Sequence, residues 1–369
     1  MNFLVAPNAF KETISGKEAT EIIFRELRKG FPSGSIQEQA IADGGDGTCT
    51  LLIDSLKLDR VPCDTLDPLG RPVSGFFGFD SYHKRALLDV STASGLSLLD
   101  SYEKNPSNTS TFGTGLIIKK AIEFGAEEII LGLGGSATVD LGIGILGALG
   151  FIFLDSKGRE LGPYTPGLIF KIKHIQRPLY LPNIKFSLLC DVKNYLIGEE
   201  GAVRVFGPQK GLSESDLPNF ENELSRCLEL LASKSKLTFT DREGFGAAGG
   251  IAAGLSLFFS LEMKYGARHF FELVHMEEKV RVCDWILTGE GKYDRQSTQG
   301  KGCYELLQLA KSEGKKIAII TSGNEASEEE FDLVIQLPDL DFSKTDFKEV
   351  AKENLGLAVA KAKPYFKIL

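Results

Sequence analysis

The sequence predicts an α/β protein with two domains, one built on a parallel sheet and the other richer in β structure. Its length of 369 residues is enough for two domains of ordinary size. Strand-like and helix-like segments alternate near both ends of the chain, as in a parallel sheet. Between them, short strand-like runs separated by turn residues are typical of antiparallel hairpins.

The chain opens with a predicted strand, Phe3–Ala6, which is followed by a loop and a helix. Ser15 is expected to cap this helix, and Glu18 completes a capping box. Binding sites in parallel α/β sheets lie at the carboxyl ends of the strands, and Lys11 occupies that position. Lys11 is therefore a candidate site residue, with a solvated loop lysine as the alternative.

A second predicted strand, residues 36–41, ends in the segment ADGGDGT. A plain turn needs only one Asp and one Gly, so this segment carries more of both than a turn requires. Its carboxylates, Asp43 and Asp46, suit metal binding or proton abstraction. The alternative is turn and capping chemistry ahead of the next helix.

The most distinctive stretch is LGLGGSATVDLGIGILGALG, residues 131–150. A buried strand there is expected to run into a helix through the small residues Gly134, Gly135, Ser136, Ala137 and Thr138, here called the glycine loop. Such a turn presents backbone N–H groups to an anion, and its hydroxyls add donors. Asp140 would place a carboxylate beside a Mg²⁺–phosphate complex. Tight packing of helix against sheet is the alternative.

Two formal G-x-G-x-x-G matches carry little weight as dinucleotide sites. One consists of Gly142, Gly144 and Gly147, and the other of Gly244, Gly246 and Gly249. The first lies inside a presumed helix and the second has no clear strand before it, and close packing is the alternative for both. No G-x-x-x-x-G-K-[ST] occurs, which excludes a P-loop NTPase at the level of the motif.

Later strand ends carry further charges. The predicted strand Lys185–Cys190 delivers Asp191, a candidate base or metal ligand, and Lys210 follows in a glycine-punctuated segment that could meet an anion. Another strand, Val282–Leu287, leads into a glycine-rich loop of mixed charge. That loop has carboxylates that can hold a cation and basic groups that can hold oxyanions, namely Glu290, Asp294, Lys292, Arg295 and Lys301.

The predicted parallel sheet is Rossmann-like and uses strands that start near Phe3, Ile36, Glu128, Val282, Ile317 and Leu333. This assignment places residues 1–62, 112–150 and 280–369 in the Rossmann-like domain. Residues 63–111 and 151–279 would form an inserted, β-richer α/β domain. The active site is expected in the cleft between the two domains.

Composition excludes several classes of protein. A formal net charge of -8 without a Lys/Arg cluster argues against nucleic-acid binding, and no apolar run is long enough to span a membrane. The six scattered cysteines and the absence of a signal-like N-terminus predict a cytoplasmic protein with reduced thiols. Four scattered histidines offer no metal-ligand spacing and no Ser–His–Asp arrangement, so phosphoryl transfer fits the acidic strand ends better than acyl hydrolysis does.

Eight segments, in order along the chain, resemble the type 1 glycerate kinases. They are APNAFKETIS, IADGGDGT, NPSNTSTFGTG, GLGGSATVDLGIG, CDVKNYLIGEEGA, FGPQKG, GAAGGIAAGL and LTGEGKYDRQSTQGK. The resemblance implies a two-domain α/β fold and the ATP-dependent phosphorylation of D-glycerate, usually at the 2-hydroxyl group. It also implies Mg²⁺ with the nucleotide, and small-molecule substrates in a protein that is a monomer or homodimer.

The matched polar positions are Lys11, Asp43, Asp191, Lys210, Glu290 and Asp294, and Asp46 stands where the family commonly has Glu. The chain departs from the family pattern at Asn8, where an Asp is expected, and at Val139, Leu141 and Tyr195. From the resemblance we expect Asp43, Asp191 and Lys11 to be catalytic, with Asp43 or Asp191 as the base. Asp294, Glu290 and Asp46 would hold the metal, and Lys210, Arg295 and Asn8 would bind the substrate.

The nucleotide is expected at Gly134, Gly135, Ser136 and Thr138 of the glycine loop. Three alternatives remain open at this point. The product could be 3-phosphoglycerate, the acceptor could be another small hydroxy acid, or the chain could be a non-catalytic binder of organic acids. The loss of a carboxylate at Asn8 is the feature that favours the last of these.

Overall fold

The computed structural model describes residues 1–10, 13–294 and 301–368 and confirms the predicted α/β class. Its strands are β1 (Asn2–Val5), β2 (Ser35–Glu38), β3 (Asp59–Leu66), β4 (Pro72–Asp80), β5 (Arg85–Asp89), β6 (Glu128–Gly132), β7 (Ile152–Leu154), β8 (His174–Gln176), β9 (Lys185–Cys190), β10 (Ser260–Tyr265), β11 (Trp285–Gly289), β12 (Lys316–Thr321) and β13 (Leu333–Gln336).

The helices of the same residues are α1 (Gly16–Gly30), α2 (Thr48–Ser55), α3 (Ser91–Ser94), α4 (Phe112–Glu123), α5 (Ile143–Ala148), α6 (Leu168–Lys171), α7 (Ala202–Phe206), α8 (Leu217–Ser235), α9 (Ile251–Ser256), α10 (Gly266–Leu273), α11 (Met276–Val282), α12 (Gly302–Ser312), α13 (Phe347–Ala362) and α14 (Tyr365–Ile368). None of these helices combines the length and apolar character needed to cross a lipid bilayer. All six cysteines are free thiols, as expected.

The first of two compact units comprises Met1–Asp43 and Tyr265–Leu369. It contains a five-stranded, wholly parallel sheet in the order β13-β12-β11-β1-β2. Apolar strand residues and the buried sides of α1 and α13 form its core. The predicted capping box is confirmed, because Ser15 Oγ accepts from Glu18 N and the Glu18 carboxylate accepts from Ser15 N.

The second unit, Gly44–Lys264, contains a six-stranded mixed sheet in the order β10-β9-β6-β5-β4-β3. β5, β6 and β9 run parallel, while β3, β4 and β5 pair antiparallel, as the predicted hairpins require. A single apolar cluster covers this sheet and includes residues from α4, α5, α8 and α9. The parallel strands leave several loops at one edge of the sheet, and the candidate site lies there.

The division of the chain differs from the predicted one. The strand β6 belongs to the second sheet and not to the first, because Leu131 lies in register with Leu88 of β5 and Leu188 of β9. Residues 44–62 and 112–150 therefore pack in the second unit, and residues 265–279 pack in the first. An apolar strand is compatible with either parallel sheet, so the alternation of elements alone did not identify its partners.

Asp89 connects the start of α2 to the second sheet. Gly47 precedes this helix with a φ of 78° and has no side chain to cap it. Instead, the Asp89 carboxylate accepts hydrogen bonds from Cys49 N, Thr50 N and Thr50 Oγ1 at 2.8–2.9 Å. Burial raises the pKa of Asp89 to about 6 despite these donors.

This shifted pKa predicts a pH-dependent stability. Because its folded-state pKa lies above the ordinary value of 3.8, Asp89 contributes stability that is present at low pH and lost as the pH rises through about 6. Between pH 4 and 6.5, the free energy of unfolding of the wild type should fall by roughly 2–3 kcal/mol relative to Asp89→Asn. Urea titrations measure this difference. Asp64→Asn, at an exposed position of β3, should follow the wild type, and parallel curves for Asp89→Asn would contradict the assignment.

Two helical glycines should respond oppositely to Ala. A methyl group at Gly113 would lie 1.8 Å from Leu66 O, whereas one at Gly356 would meet only side chains at 3.7–4.0 Å. Gly113→Ala should therefore destabilise the protein by about 1–3 kcal/mol through overpacking. Gly356→Ala should be neutral or stabilise it by up to about 1 kcal/mol through helix propensity. Urea unfolding compares the two variants, and equal midpoints would contradict the packing argument.

Candidate active site

In the second unit, the segment that follows Asp43 lies against two other strand-end segments. Gly44 has a φ of 93°, and a methyl group there would lie 2.8 Å from the carbonyl carbon of Cys190. A methyl group at Gly134 would lie 2.2 Å from Asp46 N. Backbone therefore packs directly on backbone at both positions. This packing brings Asp46, the glycine loop and Asp191 to one edge of the second sheet.

The Asp46 side chain lies beside the glycine loop. A methyl group at Gly135 would come within 2.6–2.8 Å of all three atoms of the Asp46 carboxylate, and Gly135 also has a positive φ of 70°. Asp46 itself is exposed. An accessible carboxylate is thus placed next to a loop of small and hydroxyl residues, which is the juxtaposition that the sequence predicts for a metal–phosphate site.

Hydrogen bonds from several elements hold the glycine loop in place. Ala137 N donates to Ser94 O at 2.9 Å, and Thr109 Oγ1 donates to Ala137 O at 3.1 Å. Gly135, two residues before Ala137, accepts a hydrogen bond at its carbonyl oxygen from Leu96 N at 2.8 Å. Thr138 Oγ1 is buried and has no hydrogen-bond partner among the described residues. The loop is therefore a fixed, irregular segment whose conformation depends on its neighbours.

Lys210 reaches the same loop from a 3-10 turn, Pro208–Lys210. Its ammonium group donates to Ser136 Oγ and to Thr138 O, both at 2.8 Å. The side chain is buried, and this desolvation lowers the pKa of Lys210 to about 7. The structure thus directs Lys210 into the glycine loop, and its expected contact with the substrate stays a prediction.

Asp140 supports the fold next to the loop. Its buried carboxylate accepts from Thr111 N and Oγ1 at 2.8–3.0 Å and from Gly142 N at 3.1 Å. Burial raises its pKa in spite of these donors. The sequence placed this carboxylate beside a Mg²⁺–phosphate complex. In the structure its oxygens are instead used to join the start of α4 to the start of α5.

Glycines of both formal dinucleotide matches pack closely against neighbouring backbone. A methyl group at Gly144 would lie 2.2 Å from Phe112 N. In the second match, one at Gly249 would lie 2.2 Å from Thr138 O, and Leu141 N donates to Gly249 O at 3.0 Å. The second glycine-rich segment thus supports the end of the glycine loop.

The first unit has its own group of polar side chains at the carboxyl ends of β2, β1 and β11. Asn8 Nδ2 donates to Asp43 Oδ2 at 3.3 Å, and Asn8 N donates to Gly289 O at 2.8 Å. Glu290 follows β11 directly and is buried. The nearby Cys303 thiol has a pKa raised by burial and then by the charge of Glu290. The structure therefore brings Asn8, Asp43 and Glu290 together, as their positions at adjacent strand ends predict.

Asp294 is partly exposed and follows Tyr293, whose backbone N–H donates to Thr321 Oγ1 at 2.9 Å. Lys11 and Arg295 lie outside the described residues. Over residues 1–10, 13–294 and 301–368, no group of three or more His, Cys, Asp or Glu side chains could hold a metal ion unaided.

Sequence reasoning missed the residues that support the site from behind. Ser94 and Thr109 hold the glycine loop, and Asp89 holds the helix after Asp46. The two hydroxyl-rich segments, residues 92–95 and 108–111, were the available signal. Hydroxyl side chains can bond to nearby backbone, as Thr109 Oγ1 does, whereas Ser94 holds the loop through its backbone carbonyl.

Comparison with known proteins adds an independent result. Residues 3–364 match the Glycerate kinase family. A glycerate kinase from Haemophilus influenzae is 36% identical, with 90% of this chain and 88% of that protein aligned. The Bacillus subtilis glycerate kinase is 38% identical, covering 85% and 82% of the two chains. A glycerate 2-kinase from Escherichia coli is 35% identical, covering 86% and 84%.

The fold agrees with a solved structure as well. A crystal structure of a provisionally named glycerate kinase 2 from Salmonella typhimurium LT2 superposes with a TM-score of 0.83. The two chains are 29% identical, and the match covers 100% of this chain and 98% of the other. The chain therefore belongs to the glycerate kinase family, and it is a kinase.

Proposed function

We propose that the protein transfers the terminal phosphoryl group of ATP to D-glycerate and forms 2-phosphoglycerate. One observation carries the proposal: the fixed glycine loop lies against Asp46, at the same sheet edge as Asp191. The resemblance to glycerate kinases supports the choice of acceptor, and the E. coli relative named glycerate 2-kinase supports the choice of hydroxyl group. Phosphoryl transfer needs such positioned donors and carboxylates more than covalent chemistry.

The glycine loop is proposed to bind the ATP phosphates. Its backbone N–H groups are the proposed donors to a phosphate oxygen, and the missing side chains at Gly134 and Gly135 let Asp46 lie against the loop. Ser136 and Thr138 contribute hydroxyl groups in the same segment. Because neighbouring elements hold this loop before any ligand arrives, little ordering entropy is lost on binding.

The chemistry of the carboxylates fits Mg²⁺. This ion prefers oxygen ligands and is usually bound through one or two carboxylates together with substrate phosphates. Asp46 fits because its carboxylate is exposed and lies against Gly135 of the glycine loop. Glu290 and Asp294 are also proposed as metal-binding carboxylates. When bound, Mg²⁺ would neutralise charge on the phosphates.

Asp191 is the preferred base for the glycerate hydroxyl group, and Asp43 is the second candidate. Asp191 is exposed at the end of β9, beside the segment that contains Gly44. Asp43 is less exposed than Asp191, and its carboxylate accepts a hydrogen bond from Asn8 Nδ2. A carboxylate must be able to receive the hydroxyl proton, and accessibility therefore favours Asp191.

Arg295 and Asn8 are proposed for substrate binding, and Lys11 is proposed to assist the transfer. An amide at Asn8 can donate to a glycerate oxygen, whereas the carboxylate expected there would repel the acid. This substitution is therefore compatible with an anionic acceptor. The predicted monomer or homodimer and the predicted cytoplasmic location stay predictions.

Replacing the proposed base should abolish most of the activity without unfolding the protein. Asp191→Asn should lower kcat by about 10²–10⁴-fold, because the hydroxyl proton loses its acceptor. Steady-state ADP release with glycerate measures the effect, and thermal unfolding checks the fold. Asp59→Asn, at an exposed position of β3 in the same unit, is the matched control and should behave as the wild type. Near-normal turnover of Asp191→Asn would transfer the role to Asp43.

The reaction itself is tested by coupling ADP release to glycerate and identifying the product by phosphorus NMR. We expect glycerate-dependent ADP release that stops when EDTA removes Mg²⁺, and a phosphate resonance coupled to the C2 proton. Coupling to the C3 protons would instead establish 3-phosphoglycerate. Release with another hydroxy acid alone would change the acceptor, and binding of glycerate without ADP release would indicate a non-catalytic binder.

A further inference from the structure

Lys210 is a buried cation that forms no ion pair with the described residues. Its side chain is only 3% exposed, and no carboxylate of the described chain lies within salt-bridge distance of its ammonium group. Two neutral acceptors, Ser136 Oγ and Thr138 O, bind it instead. Burying an ammonium group without a counterion costs stability. A residue that carries such a cost is a candidate for a functional role.

The chain around Lys210 is built to point the side chain at the glycine loop. Pro208 begins the 3-10 turn that ends at Lys210, and Gly211 follows with a φ of 100°. A methyl group at Gly211 would lie 2.0 Å from Lys104 O, so the turn is tightly packed against another segment. The segment GPQKG therefore has a structural explanation: it presents one lysine at a fixed place.

The two acceptors of Lys210 flank Ala137, the residue that Ser94 and Thr109 hold through its backbone. Lys210 thus holds residues 136 and 138, while Ser94 and Thr109 hold the residue between them. Of these hydrogen bonds, those from Lys210 are charge-assisted and so the strongest when the lysine is protonated. Loss of the ammonium group would release positions 136 and 138 together.

We propose that Lys210 is a positioning residue, which holds Ser136 and Thr138 in the conformation that accepts the nucleotide phosphates, and that it does not touch glycerate. This inference rests on the proposed function for its consequence, but its structural part can be tested without any reaction. It also replaces the expectation that Lys210 binds the substrate, because both of its observed contacts are to the loop.

The first experiment compares Lys210→Met with Lys279→Met in steady-state kinetics. Lys279 is a matched control, since it is also a partly buried lysine with a pKa lowered by burial, and its ammonium group donates to Gln39 in the first unit. Lys210→Met should raise KM for ATP at least 10-fold and leave KM for glycerate within 2-fold. Lys279→Met should change neither. A selective rise in KM for glycerate, or no change in KM for ATP, would overturn the proposal.

The pH profile supplies a second readout that a merely structural lysine would not move. Burial lowers the pKa of Lys210 to about 7, and Asp140 is the charged group of the described chain that acts on it. The ammonium form predominates below this value and is lost above it. The kcat/KM for ATP of the wild type should therefore fall as the pH rises through 7 more steeply than that of Lys210→Met. Profiles of equal slope would count against the proposal.

Amide hydrogen exchange separates this proposal from the proposed reaction. Peptides covering residues 134–138 should exchange at least 10-fold faster in Lys210→Met, while peptides covering β9 should not change. Ser136→Ala removes one acceptor, keeps the lysine and should shift exchange of the same peptides in the same direction, which keeps the test valid if Lys210→Met fails to fold. Unchanged exchange would overturn the positioning role. Faster exchange in a protein that does not phosphorylate glycerate would support the positioning role and reject only the reaction.

Discussion

Direct packing of one backbone on another is the constraint on which the site depends. The glycine loop can lie against Asp46 only because residues 134 and 135 have no Cβ, since a methyl group at either would overlap Asp46. Gly44 makes the same kind of contact with Cys190. Side chains cannot be compressed by more than a few tenths of an ångström, so these contacts leave little freedom to the loops. The positions of Asp46 and Asp191 follow from them.

Around this contact, some carboxylates are buried and hold backbone, and others are accessible to solvent. Asp89 and Asp140 are carboxylates whose oxygens are used by N–H and hydroxyl donors, and burial raises the pKa of both. Asp46 and Asp191 are exposed. The same residue type thus serves two purposes, and the environment decides which one. Lys210 is also buried and donates to Ser136 Oγ and Thr138 O of the glycine loop, which is the basis of the positioning role proposed for it.

The glycines show a similar division. Gly134 and Gly135 leave room for Asp46 at the site, whereas Gly144, Gly249 and Gly113 leave room for the backbone of other segments. A high glycine content in this family member therefore reflects close packing as much as ligand binding. The membership of the glycerate kinase family agrees with this picture, because its matched segments include both kinds of glycine.

The sequence alone determined the α/β class, the capping box at Ser15 and the hairpins of the second unit, because local periodicity and turn chemistry specify these features. It also identified the acidic strand ends, since their position after apolar strands is local information. Only the tertiary structure assigned β6 to the second sheet and showed which groups Lys210 and Asp140 contact. Lys210 donates to Ser136 Oγ and Thr138 O, and Asp140 accepts from Thr111 and Gly142. Those outcomes depend on partners distant in the sequence, and neither a strand's neighbours nor a carboxylate's donors can be read from the residues that flank it.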